Sequence, residues 1–287
     1  ATMLGKEYKL SDFYKKRFTR VFIPFVFWLL AYWVYRWFML KPAAQPTDFQ
    51  SILKWAADLF LKEGVSKHLW YVYMIIFIYL ALPFLGKWLR NLRQSTVLTL
   101  LLCWLYFVFQ TREFPLNLYN WSGDYGSKLL GYFQHTGYLV LGYYLSRVNF
   151  SFKNTRLIAG IIFVLSVLIS AFGTYLLSSQ NHHLSLTMYS YMNLNTILQS
   201  IALFVWIKDI RINNKIALWI ENTISDYSYG IYLVHIMIIG ILFRNGIYWS
   251  FAHPVISLPV LTLVVLLCSI AIIFLLRKIP GGKHIAG

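Results

Sequence analysis

Residues Leu157–Ser178 read LIAGIIFVLSVLISAFGTYLLS, an uncharged run of 22 residues. A helix rising 1.5 Å per residue needs about 20 apolar residues to cross a ~30 Å hydrocarbon core, so this run has the length and character of a membrane span. Its flanks are unequal. Arg147, Lys153 and Arg156 precede it, whereas the connection to the next apolar run holds neither Lys nor Arg. Working outward adds seven more runs: Val21–Leu40, Leu69–Leu85, Thr96–Gln110, Leu129–Ser146, Tyr191–Ile207, Tyr229–Phe243 and Ile256–Leu276. Numbered in order, the odd connections carry 18 Lys and Arg and the even ones 7, with Arg36 inside a run. Lys and Arg gather in cytoplasmic loops, so both chain ends are expected in the cytoplasm. The sequence predicts an all-α, polytopic transmembrane helix bundle of about eight spans.

Composition agrees. Hydrophobic residues make up 59% of the chain and charged residues only 13%, against roughly 25% charged in soluble domains. The net charge of +16 does not point to nucleic acid, because a binder of that kind collects its basic residues on one folded face. Here they flank apolar runs, which makes anionic membrane lipids the expected partners. Cys103 and Cys268 lie inside apolar runs and read as small packing residues, not a disulfide framework. His182 and His183 are adjacent, so their side chains diverge, and no spacing supports a metal. The longest connection, Lys41–Lys67, contains Phe49–Leu61, where Ile52, Leu53, Ala56, Leu59 and Phe60 recur at helical spacing. This predicts a helix lying in the membrane interface or capping a cavity. Trp28, Trp33, Trp37, Tyr143 and Tyr144 sit near run ends, as interfacial anchors do.

Several runs carry polar groups. Gln134, His135 and Thr136 sit in one, Asn195 and Gln199 share a face at i, i+4 in another, and His235 lies in a third. Such groups must face the bundle or a hydrated cavity. Interhelical hydrogen bonds, worth about 1 kcal/mol each, and an internal pathway are both open readings. Ahead of the first run, Arg17 and Arg20 stand three apart, before Pro24. Paired guanidinium groups offer forked donors of fixed charge to phosphate, although basic residues at a span end also follow from topology alone. Arg36 either snorkels to headgroups or lines a cavity.

The segment Arg17-Phe18-Thr19-Arg20 followed by Pro24 resembles the third transmembrane helix of the acyltransferase 3 family of membrane-bound O-acyltransferases. His68-Leu69-Trp70-Tyr71, followed by Tyr79-Leu80-Ala81-Leu82-Pro83, is similar to the family's His-Leu-Trp-aromatic span ending in Pro. Ser225-Asp226-Tyr227-Ser228-Tyr229-Gly230-Ile231-Tyr232-Leu233-Val234-His235 resembles its Ser-x-x-Ser-aromatic-Gly-Ile-Tyr-Leu-x-His signature, and Arg277-Lys278-Ile279-Pro280 fits the basic end of the last helix. Asn117-Leu118-Tyr119 before a Gly-rich span looks most like the bacterial surface-glycan O-acetyltransferases of the enterobacterial common antigen type. Family members usually have ten spans, the first carrying a basic residue and a His proposed to be essential. Residues 1–287 therefore read as a single acyltransferase-like domain lacking the first two helices and that His, which puts activity of the chain alone in question.

The resemblance implies transfer of an acyl group, most often acetyl, from cytoplasmic acyl-CoA to a hydroxyl of a cell-surface or lipid-linked glycan. It also implies polysaccharide O-acetylation at the bacterial cell inner membrane, with acyl-CoA as a substrate and no bound cofactor. Arg17 and Arg20 would hold the donor. His235, six residues past Tyr229, is the candidate base, with Tyr232 at i, i+3 orienting its imidazole or binding the thioester carbonyl. His68, Trp70 and Arg36 fall on the acceptor side. A transporter or flippase of a glycan or lipid-linked substrate is the competing class, since polar intramembrane faces and prolines within spans suit it as well. Against it, no inverted halves are visible and no acid lies within a span, Glu221 and Asp226 being expected in a loop.

Overall fold

A computed structural model describes residues 3–39, 48–61, 66–113, 123–150 and 152–287. All eight apolar runs are helical, and no strand occurs among the described residues. The helices are α1 (Leu10–Arg17), α2 (Ile23–Met39), α3 (Phe49–Leu61), α4 (Trp70–Arg90), α5 (Gln94–Glu113), α6 (Gly123–Arg147), α7 (Thr155–Asn181), α8 (Leu194–Ile207), α9 (Lys215–Arg244), α10 (Pro254–Lys278) and the short α11 (Gly282–Ile285). Five helical segments among the described residues are long and apolar enough to cross a membrane: Leu10–Met39, Lys67–Arg90, Thr155–Asn181, Lys215–Arg244 and Pro254–Lys278. Gln94–Gln110 and Leu194–Ile207 are apolar but shorter, and in α6 Gln134, His135 and Thr136 interrupt the apolar character. The exposed side chains of α7 are apolar along its length (Leu157, Ile161, Leu165, Leu168, Phe172). So continuous an apolar face needs lipid, not water, around it. The protein is a membrane protein.

The chain forms two compact units, residues 1–7 with 82–212, and residues 8–81 with 213–287, α4 passing from one to the other. In the first, α5 packs on α6, α6 on α8 and α7 on α8. Asn195 Nδ2 donates to Ser170 Oγ at 2.6 Å, and Gln199 Nε2 donates to Ser170 Oγ at 2.6 Å and to the Ser166 carbonyl at 2.9 Å. The polar face of α8 is thus consumed by α7, and of the two open readings interhelical bonding describes it. Arg90 is also spent within this unit, donating to the carbonyls of Leu4 and Lys6.

The second unit carries the principal core, in which Phe25, Trp28, Leu29 and Tyr32 of α2 pack with Leu69 and Val72, with Leu233, Val234 and Ile238 of α9, and with Ile273 and Ala286. Trp28 is therefore a core residue and not an interfacial anchor, and Tyr143 in the first unit is buried likewise. Cys103 and Cys268 are free and exposed on their helices, so they do not pack the interior. The amphipathic α3 occupies Phe49–Leu61 as its spacing predicts, begun by Asp48, whose carboxylate accepts from the Ser51 amide at 2.9 Å. Its Trp55 ring lies 5.5 Å from those of both Trp33 and Trp37 on α2.

Two local features position the site. Between α1 and α2, Phe18–Phe22 form a π-helical turn in which the Ile23 amide bonds the Phe18 carbonyl. Pro24 has no N–H and its ring would crowd the carbonyl four residues back, so a widened turn accommodates it. At α9, the side chain of Asn214 caps the helix by accepting from the amides of Ile216 and Ala217. That start extends α9 back to Lys215 and puts Glu221 and Asp226 on the helix, correcting their expected place in a loop.

Candidate functional site

Two arrangements in the second unit bring the sequence candidates together. The first is a cavity of about 650 Å³. Arg17, at the end of α1, and Arg20, in the π turn, both line it, together with Tyr79, Ser225, Asp226, Ser228 and Tyr229. Arg277 and Lys283 line it as well. Four cationic side chains therefore line it with a single acidic side chain, that of Asp226, alongside His284 and Gly287. The Arg17 guanidinium sits over the Tyr79 ring at 4.9 Å and the Phe13 ring at 5.5 Å, aromatic faces that hold a cation without neutralising it. Tyr229 fixes the wall by donating its phenol proton to the Val21 carbonyl at 2.8 Å, tying α9 to the π turn. Excess positive charge with forked donors and polar hydroxyls is the chemistry of a phosphate receptor.

The second arrangement is a nest of rings six residues further along α9. The His68 and His235 rings lie 5.2 Å apart, with Tyr232 at 5.4 Å and Tyr32 at 5.3 Å from His68. Tyr232 and His235 share a face, as their spacing requires. The phenol of Tyr232, however, does not orient the His235 imidazole. It donates to the backbone carbonyl of His68, while His235 Nδ1 bonds the Tyr232 carbonyl at 2.7 Å. A carbonyl only accepts, so Nδ1 is the donor in this bond, and in the corresponding neutral tautomer the lone pair is on Nε2. His68 Nδ1 is held by the Ser66 hydroxyl at 2.7 Å. Tyr32, which no spacing argument singled out, is 2% exposed and accepts the Met237 amide on its hydroxyl at 3.0 Å. His235 also lines an apolar cavity of about 390 Å³ between α9 and α10, with Trp249 and Thr262.

Arg36 is exposed on α2 and Trp70 is half-buried at the start of α4, its ring 6.1 Å from that of Tyr71. Neither lines the two cavities just described. Among the described residues no cluster of three or more His, Cys, Asp or Glu is placed to hold a metal. Asn117-Leu118-Tyr119 lie outside the described residues. Arg277 was legible as topological charge and as part of a basic helix end, and Lys283 as topological charge alone, because nothing in linear spacing brings the chain end back to α9.

A family model described as an acyltransferase domain matches residues 2–277, nearly the whole chain. The chain belongs to the acyltransferase 3 family. No curated protein and no solved structure matches. Membership gives the class of activity: the protein is a membrane-bound O-acyltransferase. The acyltransferase 3 match covers the ring nest on α9 and, of the cationic cavity, Arg17, Arg20, Asp226 and Arg277, while Lys283 lies beyond it.

Proposed function

We propose that this acyltransferase takes its acyl group, in the simplest case acetyl, from cytoplasmic acyl-CoA and delivers it to a hydroxyl of a cell-surface or lipid-linked glycan at the bacterial inner membrane. The observation that carries the proposal is the cavity in which Arg17, Arg20, Arg277 and Lys283 outnumber the one acidic side chain, Asp226. A donor whose handle is a polyphosphorylated nucleotide matches that surplus of charge. In the transfer, an ester C–O bond forms at the acceptor, the thioester C–S bond breaks, and the hydroxyl proton ends on the departing thiol. His235 is the base in this reading, since its Nε2 lone pair is left available by the Nδ1 bond to Tyr232. His235 lies about 9 Å along α9 from Tyr229 on the cavity wall, taking 1.5 Å per residue. Tyr232 fixes the His68 backbone beside it. His68, Trp70 and Arg36 serve the acceptor, with His68 the member in ring contact with His235.

The test is equilibrium binding of acetyl-CoA to the purified chain in phosphatidylcholine nanodiscs, at low and high salt. Replacing Arg17→Ala together with Arg20→Ala is expected to weaken binding by at least about tenfold, given that hydrogen bonds to charged groups contribute ~1.5–3 kcal/mol each. Undiminished affinity in the double variant would sink the donor assignment.

A further inference from the structure

The segment after α10 does not run out into solvent. It turns at Gly281, whose φ of 76° is a left-handed conformation that side chains resist, makes the single turn of α11, and returns to α9. Ala286 is fully buried in the principal core. Two residues seat this segment. A Cβ on Gly230 would overlap the Ala286 carbonyl oxygen and come within 2.8 Å of Ile273 Cδ1, so α9 offers a notch only glycine leaves open. Arg277, stacked over the Tyr227 ring at 4.2 Å, donates from Nη2 to the carbonyls of Asp226 at 2.7 Å and Gly287 at 2.6 Å, clasping the returning chain against α9. The segment thereby becomes a wall of the cationic cavity, with Lys283 among its lining residues. Unlike Arg277, Lys283 makes no hydrogen bond or ion pair with the described residues. Its ammonium is a solvated charge on the wall of a site that already holds three arginines, Arg17, Arg20 and Arg277.

We propose that Lys283 is a ligand for a donor phosphate, supplied by the returning C-terminal segment, and that Gly230 and Arg277 are positioning residues that hold it there. This rests on reading the cavity as the donor site. The shared chemistry is phosphate, which both a nucleotide and an anionic lipid headgroup present, and the structure favours the nucleotide because Lys283, Arg17, Arg20 and Arg277 line one cavity. Acetyl-CoA binding is measured for the wild type, Lys283→Ala, Lys283→Arg and Gly230→Ala, in phosphatidylcholine nanodiscs and in nanodiscs containing phosphatidylglycerol.

Lys283→Ala is expected to bind about fivefold to tenfold more weakly, with a shallower salt dependence, and Lys283→Arg to recover most of the loss. Gly230→Ala, which leaves every cation in place, is expected to reproduce the loss by displacing the segment. Exposed Lys283 has no packing role, so its two variants stand as the test even if Gly230→Ala fails to fold. If Lys283→Ala binds as the wild type does while Arg17→Ala with Arg20→Ala weakens binding, the segment is not part of the site. If Lys283→Ala matters only in phosphatidylglycerol, its partner is a lipid headgroup and the proposal falls. A wild type that binds no acetyl-CoA overturns the donor reading itself.

Discussion

The Tyr232 phenol donates to the His68 carbonyl inside a half-buried nest of rings, so its removal has a definite cost. Tyr232→Phe keeps the ring contacts with His68, Tyr71 and His235 but leaves that carbonyl without its phenol donor. The His68 carbonyl still accepts the Trp70 amide, so the expected destabilisation is that of one lost hydrogen bond, about 0.5–1.5 kcal/mol, read as a lower midpoint of thermal unfolding in detergent. An unchanged midpoint would mean that the bond is not formed. Spacing along α9 was enough to put Tyr232 and His235 on one face, since the helix period alone fixes that. It was not enough to say what the phenol touches. Its partner lies 164 residues away in sequence, and only the packing of α4 against α9 decides it. Tyr32 was illegible for the same reason, because among 21 tyrosines an aromatic on an apolar face carries no mark of its partner.

At the level of elements, hydropathy located the eight apolar runs and the amphipathic α3 but neither α1 nor α11, and ends and joins depended on local chemistry. Asn214 capping α9 and the π turn ahead of Pro24 are both written in residue types, a capping side chain and a ring without an N–H. Their consequences, an Asp226 on the helix and an Arg20 in a widened turn, follow only once the backbone is built. The polar face of α8 is the element whose meaning changed most. Asn195 and Gln199 both donate to Ser170 Oγ, and each keeps a second acceptor, the Met188 and Ser166 carbonyls respectively. Ser170→Ala should therefore cost only about 1 kcal/mol, as interhelical bonds in membranes do, and leave acetyl-CoA affinity as it is. A loss of affinity in that variant would return these residues to a substrate pathway.

For the whole molecule, the alternation of basic residues predicts which ends of the spans share a side, and each compact unit offers an independent check. Helix α7, with 27 residues, is about 40 Å long, and α10, with 25, about 38 Å, each exceeding a ~30 Å hydrocarbon core. Phe152 and His183 flank α7, and His253 and Pro280 flank α10, all four exposed. Cysteines at these positions, in a chain with Cys103→Ala and Cys268→Ala, change no Lys or Arg and so leave the orienting charge intact. A membrane-impermeant maleimide added to intact cells is expected to label His183→Cys and His253→Cys, whereas Phe152→Cys and Pro280→Cys label only after lysis. That pattern would place the end of α10, and with it the wall formed by Lys283, on the side where acyl-CoA is made. Reversed labelling at Pro280→Cys would put the cationic cavity on the face that acyl-CoA never reaches, and no affinity measured on purified protein would then rescue it as the donor site.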